Sequence, residues 1–531
     1  MVRLRVALGD VYTVCLFINL SSTTIIAVTM RIAVMTNFSR REFLEKSMFA
    51  TAALSLSSST RAFAADEGTT TKGEKLRVAV VGVKGRGGSH IAGFGEREDC
   101  EIAALVDVDE TMINNRADEI EKKTGKRPTL YSDMRKCFED KSIDIVSVAT
   151  PNHWHSLAAI WAIQAGKDVY VEKPVSHNVS EGRRVVEAAR KYKRIVQTGT
   201  QSRSNPGMRE AIAFIHGGGI GEIKLARGLC YKPRGSIGPK GNYDVPASVN
   251  YDIWSGPAEI KPLSRKSLHY DWHWMWDYGN GDLGNQGIHQ MDIARWGLGE
   301  TTIGDSVQSY GGRFGYEDAG ETANTQVSIH GFPDGKQLVF EVRGLKTGKY
   351  GYEYEEDGTK KTVDAGVGVI FYGSKGIMVV PSYSGGVVLD LAGKPTGVKF
   401  EGGGDKHHYA NFVKAVRSRK QEDLNADILE GHLSSALCHV GNISYRLGTP
   451  ISVKELAATF AGDAEKLETL DRFQQHLREN QVDLETTKIT AGPKLTLTDK
   501  EEFKGARAED ANKMLTREYR APYIVPKTED L

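Results

Sequence analysis

Three stretches of the chain carry side chains that could move protons or hold phosphate. Asp168-Val-Tyr-Val-Glu172-Lys173-Pro174 ends a short β-branched run on a charged pair and a proline. Gly279-Asn-Gly-Asp282-Leu-Gly-Asn285-Gln286-Gly-Ile-His289-Gln-Met-Asp292 sets an imidazole between an amide and a carboxylate. Val80-Val-Gly82-Val-Lys-Gly85-Arg86-Gly87-Gly88 is a glycine-rich turn. An imidazole aimed at a hydroxyl can act as general base near neutral pH. A strand that closes on a lysine places the amine at a strand's carboxyl end, the edge where open parallel sheets bind ligands. Glycines after a strand let the backbone approach a pyrophosphate seated on the next helix N-terminus.

The elements around these residues alternate. Leu76-Arg-Val-Ala-Val-Val81 reads as a buried strand, and Ser89-His-Ile-Ala-Gly as the start of a helix. The second strand pattern, Glu101-Ile-Ala-Ala-Leu-Val-Asp107, ends on an acid. A carboxylate there suits the two ribose hydroxyls of an adenosine and repels a 2′-phosphate, which favours NAD over NADP. The glycine spacing departs from G-x-G-x-x-G, because Val83-Lys84 moves the second glycine one place along. A third strand pattern, residues 143–150, breaks at Pro151 and leads to a helix over 156–166, with Gly166 suited to its C-cap. Strand and helix patterns alternate from residue 76 to about 198, as a doubly wound domain requires.

The glycine turn, Asp107, Thr150-Pro151-Asn152-His153-Trp154-His155 and Glu172-Lys173-Pro174 occur in an order that resembles the glucose–fructose oxidoreductase / inositol dehydrogenase / MocA (Gfo/Idh/MocA) family. The resemblance covers roughly residues 75–448. It implies a Rossmann domain followed by an α+β domain with a large, open, mostly antiparallel sheet. It places Lys173 by the nicotinamide and the reacting hydroxyl, after a cis bond to Pro174 that aims it into the cleft. An amine in that place, partly dry and beside a positive ring, has a depressed pKa and can take a proton. The cofactor contacts it implies are Gly82, Gly85, Arg86, Gly87, Asp107, Thr150, Pro151, Asn152, His155, Glu172, Lys173 and Gln201.

In the second half the family pattern is an acid, a histidine four residues on, and a second acid three further. His289 and Asp292 match the last two, and Asn285 replaces the first acid. If one helix carries all three, they share a face. An amide orients an imidazole but carries no charge. Either Lys173 therefore carries more of the proton transfer, or the chemistry differs from plain alcohol oxidation. His269-Tyr-Asp271-Trp272-His273-Trp274-Met-Trp276-Asp277-Tyr278 is open to two readings: a sugar site, with Trp274 and Tyr278 covering C–H faces, or core. Lys232, Arg234 and Arg203 are candidates to complete a polyol or anionic-sugar pocket. Glu401-Gly-Gly-Gly-Asp405-Lys-His407-His408 has no third ligand at helical spacing, so a loop touching substrate or a neighbouring subunit is expected rather than a metal site. Turn signals at Pro333-Asp-Gly335 and Asp357-Gly358 mark hairpins.

The chain divides as a leader (1–64), a linker (65–74), a nucleotide domain (75–198), a substrate and oligomerisation domain (199–450) and a C-terminal extension (451–531), expected to strap the domain or dimer surface. Ser39-Arg40-Arg41-Glu42-Phe43-Leu44, a small apolar stretch and Ala62-Phe63-Ala64 read as a twin-arginine export signal with its cleavage site. Substrates of the twin-arginine translocase fold before crossing, so a nicotinamide enzyme would reach the periplasm with its dinucleotide held tightly. The apolar run 11–26 is interrupted by Asn19 and several hydroxyls and is not expected to anchor the chain. Lys plus Arg total 69 against 68 Asp plus Glu, so no basic field points to nucleic acid. The cysteines are widely spaced, with no C-x-x-C pair, and read as small core residues.

Three functions follow. The first is an exported NAD-dependent oxidoreductase of a sugar or sugar derivative, expected to be a dimer or tetramer. The second is a redox-neutral NAD-dependent glycosidase, epimerase or lyase of the same family. The third is a dinucleotide-binding sugar sensor without turnover.

Overall fold

The computed structural model describes residues 74–531 and two earlier strands, β1 (Val11–Phe17) and β2 (Ala27–Ala33). These two pair antiparallel, with Val14 opposite Met30. The chain divides into two compact units, Met1–Thr69 and Thr70–Leu531. The twin-arginine segment and the Ala62-Phe63-Ala64 site lie outside the described residues. Among the described residues, no helix is long and apolar enough to cross a membrane.

In the second unit, strands β3 (Leu76–Val81), β4 (Cys100–Val106), β5 (Thr129–Tyr131), β6 (Ile145–Val148), β7 (Asp168–Val171) and β8 (Val196–Thr198) form one parallel sheet. Their order is β5-β4-β3-β6-β7-β8. The order reverses between β3 and β6, and that switch point opens a crevice at the strands' carboxyl ends. The strands are apolar on both faces because helices cover both sides. The helix expected from Ser156 starts at Asn152, directly after Pro151, and the helix expected from Ser89 starts at Arg86 inside the glycine turn. Proline preorganises a helix entry, and glycine lets a turn run into one without a linker.

The nucleotide domain is completed from far along the chain. Helix Lys406–Ser418 sets Tyr409, Phe412, Val413 and Val416 against Val78, Val80 and Tyr170. At the end of the chain, Tyr523, Val525 and Leu531 join the core cluster on the sheet's other side.

The second sheet contains β9 (Ile223–Tyr231), β10 (Ser306–Gly312), β11 (Thr325–Gly331), β12 (Gln337–Arg343), β15 (Val367–Gly373), β16 (Ile377–Val380), β17 (Gly386–Leu389) and β18 (Pro395–Phe400), with β13 (Tyr350–Glu356) and β14 (Thr359–Ala365) forming a separate hairpin. All its pairs are antiparallel except β9 with β12. The Asp357-Gly358 turn of the hairpin has positive φ at both residues, 52° and 70°, as a tight two-residue hairpin turn demands. Strand alternation gives the sheet two apolar faces. Leu338, Phe340 and Val342 meet helices Gly287–Leu298 and Ile428–Arg446, and Val339 faces the opposite way.

That opposite face is covered by the chain itself. Helices Val453–Thr459 and Ala464–Glu479 lay Leu456, Leu470, Phe473 and Leu477 on Tyr310, Val327 and Ile329. The β13–β14 hairpin covers Leu229 and Ile370. A buried ion network ties the layers: Glu341 accepts from Arg227 at 2.7 Å and from Arg472 at 2.5 Å. Four further strands complete the sheet: β19 (Thr449–Ile451), which leads into the extension, and β20 (Ile489–Ala491), β21 (Leu495–Leu497) and β22 (Phe503–Lys504) within it.

Glu501 pins this extension to both domains. It pairs with Arg183 and lies 2.9 Å from Nε2 of buried His432. Burial opposes its ionisation, but His432 and Arg183 hold the carboxyl down to about 2. Its contribution is therefore present above the ordinary carboxyl range and is lost as pH falls toward that value. Glu501→Gln is expected to lower the unfolding free energy at pH 7 by about 2 kcal/mol. In denaturant melts, the difference from the parent should shrink as the pH is lowered.

Candidate active site

The crevice at the switch point is a cavity of about 930 Å³. One end is the glycine turn. Gly82 has φ 82°, and a Cβ there would lie 2.7 Å from the Ala149 carbonyl oxygen, so only glycine fits. Gly85 has φ 56° and open space where a Cβ would stand. Gly87 is not a wall of the crevice: a Cβ there would overlap the Gly82 carbonyl oxygen at 1.8 Å, so Gly87 lets the turn close on itself. Asp107, at the end of β4, accepts from the backbone N–H of Val83 at 2.8 Å and of Asp109 at 3.0 Å. Burial pushes its carboxyl above the ordinary range even though both N–H groups favour the anion.

The residues after β6 and β7 form the wall. Thr150, Pro151, Asn152 and His155 line the crevice, and the buried Thr150 hydroxyl has no partner. His155 lies 2.6 Å from the carbonyl oxygens of both Thr150 and Pro174 and so joins the two strand ends. The Lys173–Pro174 bond is cis. Glu172 is the hub beneath: it accepts from Arg86 Nε at 2.8 Å and Gln201 Nε2 at 3.1 Å, and lies 3.1 Å from His90 Nε2. Burial works against its charge, but Arg86, His90 and Lys173 outweigh burial and hold the carboxyl well below the ordinary range. Arg86 is held over the turn, with its second nitrogen 2.8 Å from Asp405 in the loop before helix Lys406–Ser418.

These features fit a dinucleotide: a turn no side chain could fill, a helix N-terminus without a side-chain cap, an unpartnered buried hydroxyl and a strand-end carboxylate. Gly82→Ala is expected to cost about 1–3 kcal/mol of stability. It should also empty the site, which thermal melts and the dinucleotide content of purified protein would measure.

At the other end Lys173 meets the second domain. Its ammonium donates to the backbone carbonyl of Asn285 at 2.8 Å. Burial lowers its pKa, with Glu172 opposing and Arg86 and Lys232 assisting. His289 faces the same space. Burial, then the Lys173 charge, hold its pKa well below the ordinary value, so it is neutral at neutral pH. Neither of its ring nitrogens has a hydrogen-bond partner among the described residues, and its ring stands edge-on to Tyr383 at 5.1 Å. Lys232 donates to Gln286 at 3.3 Å, and Arg234 makes a two-pronged pair with buried Asp282 at 2.9 and 2.7 Å.

Four expected substrate contacts differ. Asn285 and His289 are not on one helix: Gly281–Asn285 ends, and Gly287–Leu298 begins after Gln286. Asn285 presents its main chain to Lys173. Asp292 is 1% exposed, receives Arg203 Nε at 3.0 and 2.9 Å and Ser434 Oγ at 2.7 Å, and does not reach the crevice. A three-residue step turns roughly 300° round a helix, which points Asp292 at helix Ile428–Arg446. Arg203, spent on this pair, is no crevice residue either. Trp274 is buried under the Arg234 guanidinium, 5.5 Å from its ring centre. Tyr278 is core, 4.8 Å from Trp254 and 5.1 Å from Arg265.

The neighbours Trp272 and His273, stacked at 3.7 Å, line the crevice instead. His408 is buried against Thr198 and Ser204, and among the described residues no three His, Cys, Asp or Glu side chains group as metal ligands. Asp405 lies in the Glu401–His408 loop expected to touch substrate or a neighbouring subunit and lines the crevice, whereas Tyr383, which also lines it, had no sequence signal.

Two family models match the chain. Residues 76–200 match the NAD-binding Rossmann fold of the Gfo/Idh/MocA oxidoreductase family, and residues 238–339 match its C-terminal alpha/beta domain. A glycosyl hydrolase family 109 protein of Shewanella putrefaciens is 34% identical over 122 residues, which are 22% of this chain. The chain thus spans about a quarter, 27%, of that curated relative's length. The WlbA dehydrogenase of Bordetella pertussis, solved with NADH and UDP-GlcNAcA, superposes with TM-score 0.51 at 20% identity, over 69% of this chain and 95% of its own. Aldose-aldose oxidoreductase of Caulobacter crescentus gives 0.52 at 18% identity, over 70% and 98%. These likenesses show the fold. Residues 76–200, which carry the glycine turn and Lys173, and residues 238–339, which carry His289, thus match the two domains of the Gfo/Idh/MocA oxidoreductase family, the first being its NAD-binding Rossmann fold.

Proposed function

We propose that this chain oxidises a sugar or sugar derivative with a tightly held NAD. The observation that carries the reading is one cavity lined at one end by the glycine turn and Asp107, and at the other by Lys173 and His289. The main chain of Gly82, Gly85 and Arg86 would hold the pyrophosphate, and Asp107 the adenosine ribose, whose 2′-phosphate it would repel. When bound, the nicotinamide supplies the hydride acceptor. Lys173, steered by the Asn285 carbonyl, takes the hydroxyl proton, and its lowered pKa makes the free amine accessible. His289, neutral and unpartnered, accepts a hydrogen bond from a neighbouring hydroxyl or shares the proton transfer. Lys232 and Arg234 stand ready for further oxygens of the substrate. We place the enzyme in the periplasm, exported folded by the twin-arginine route with its cofactor inside.

A second reading is favoured by His289. No carboxylate braces it, because Asp292 is committed to Arg203 and Asn285 offers only its main chain. A retained cofactor that must be re-oxidised in place suits a cycle that oxidises, eliminates and then reduces, returning the hydride to the product. The relative named for glycosyl hydrolase family 109, matched over 122 residues, supports this.

The test is to denature purified protein, assay released NAD(H), and screen free sugars and aryl glycosides. Net reduction of bound cofactor by a free sugar supports the dehydrogenase. Glycoside cleavage without net reduction supports the redox-neutral cycle. Bound cofactor with neither leaves a sensor, and no bound or bindable dinucleotide overturns the proposal. The base must be unprotonated, so kcat/KM should rise with pH and level off below the ordinary lysine value.

A further inference from the structure

Outside the crevice, the chain builds a second cavity of about 640 Å³ between helix Ile428–Arg446 and the segment 513–520 of the extension. Its charges are unbalanced. Arg446 lies 4.9 Å from the Trp276 ring centre and has neither a hydrogen bond nor an ion pair among the described residues. Arg517 donates to the Asp277 carbonyl at 2.8 Å and lies 3.2 Å from His177 Nδ1, and no carboxylate pairs with it. His177 takes the Arg517 N–H on Nδ1, so its proton sits on Nε2, and that buried atom has no partner.

The other charged groups of the lining are accounted for. Arg520 is paired with Asp252 and Lys513 with Glu509, while Asp277 and Glu259 share Lys261. Only Glu518, an exposed side chain, is left against two guanidiniums. Asp277 and Glu321 near Arg446, and Glu181 near Arg517, offset these charges from a distance, but neither guanidinium has a direct ion pair. A concave surface with two such groups and an unsatisfied ring N–H matches an oxyanion, which guanidinium holds with paired, charge-assisted hydrogen bonds. Arg446 is exposed and Arg517 half-buried, so both can reach a ligand, while the His177 Nε2–H is shielded without a partner and is costly to leave unpaired. The volume far exceeds the roughly 30 Å³ of a water, so a bare inorganic ion would leave most of it open. Asn178, Asn442 and Thr516 add amide and hydroxyl groups suited to a polyol.

We propose that this cavity is a second ligand site, distinct from the crevice, for an acidic sugar whose carboxylate, phosphate or sulfate is held by Arg446 and Arg517. The site is a product of the extension, since Arg517 lies beyond both family-matched segments. It shares a wall with the crevice: Asn280 donates to the His177 carbonyl and accepts from Asn152, each at 3.0 Å, and Asn152 lines the crevice.

The test is isothermal titration of the full-length, cofactor-loaded protein with glucuronate, glucose 6-phosphate, glucose 6-sulfate and inorganic phosphate, with glucose as neutral control. At least one anionic sugar should bind in the millimolar range or tighter and weaken with added salt, while glucose should not bind. Arg446→Gln leaves no hydrogen bond broken and should weaken binding at least tenfold with cofactor content and melting temperature unchanged. Arg517→Gln, which also gives up the bonds to the Asp277 carbonyl and His177, should weaken binding at least as much with cofactor content unchanged. The three acidic sugars separate carboxylate, phosphate and sulfate as the anion. Binding that survives both substitutions, or no binding by any anionic probe, overturns the site and leaves the reading of the crevice untouched.

Discussion

Replacing Lys173 by alanine is expected to reduce turnover about 10³-fold or more while leaving the fold and the retained dinucleotide in place. The amine reaches from the end of β7 to the second domain's Asn285 carbonyl, inside a space also lined by His289. Burial lowers its pKa from the ordinary lysine value, which makes the free amine easier to reach. The nucleotide end is built from other atoms, the glycine turn and Asp107, which is why cofactor content should not fall. Lys173→Arg should fail to rescue, because a guanidinium keeps its proton across this range. The measurements are kcat on whichever substrate the screen returns, released NAD(H) and circular dichroism. An alanine variant with parental turnover would remove Lys173 from the chemistry.

Asp292→Ala is expected to act on stability, with a loss of about 3–5 kcal/mol. Its carboxylate receives both bonds of the Arg203 Nε–H and the Ser434 hydroxyl, and it is almost completely shielded from water. Truncation leaves the Arg203 guanidinium buried with only Glu430, 3.0 Å away, to offset its charge. Arg203→Met combined with Asp292→Leu should recover part of the loss, because removing both charges avoids the unpaired one. Denaturant melts decide. An Asp292→Ala protein of parental stability with a raised KM would instead make the carboxylate a substrate contact.

These two residues mark where reading the chain as a string succeeds and where it stops. Lys173 was legible because a β-branched run, a charged pair and a proline are adjacent, and strand ends in a doubly wound sheet all face one way. The glycine turn was legible because positive φ and close backbone approach exclude side chains locally. The Pro333-Asp-Gly335 and Asp357-Gly358 hairpins were legible for the same reason. Asn285 was misplaced because helical spacing assumed one unbroken helix, whereas the chain restarts after Gln286, and Asp292 was misplaced because its partners Arg203 and Ser434 come from distant segments. Among the aromatic residues 270–278, composition could not tell which rings face the crevice. Tyr270, Trp272 and His273 do, while Trp274 and Tyr278 are claimed by Arg234 and Trp254.

The amino-acid sequence alone determined the alternation of strand and helix, the dinucleotide turn, the strand-end lysine and the balance of charge. Each of these depends on interactions within a few residues or on the period of an element. Tertiary structure alone decided that helix Lys406–Ser418 packs on the nucleotide domain, that residues 453–479 cover a face of the large sheet, and that Arg446 and Arg517 meet. Such pairings are chosen by which distant surfaces can bury apolar area and neutralise charge together, and no local pattern encodes the partner.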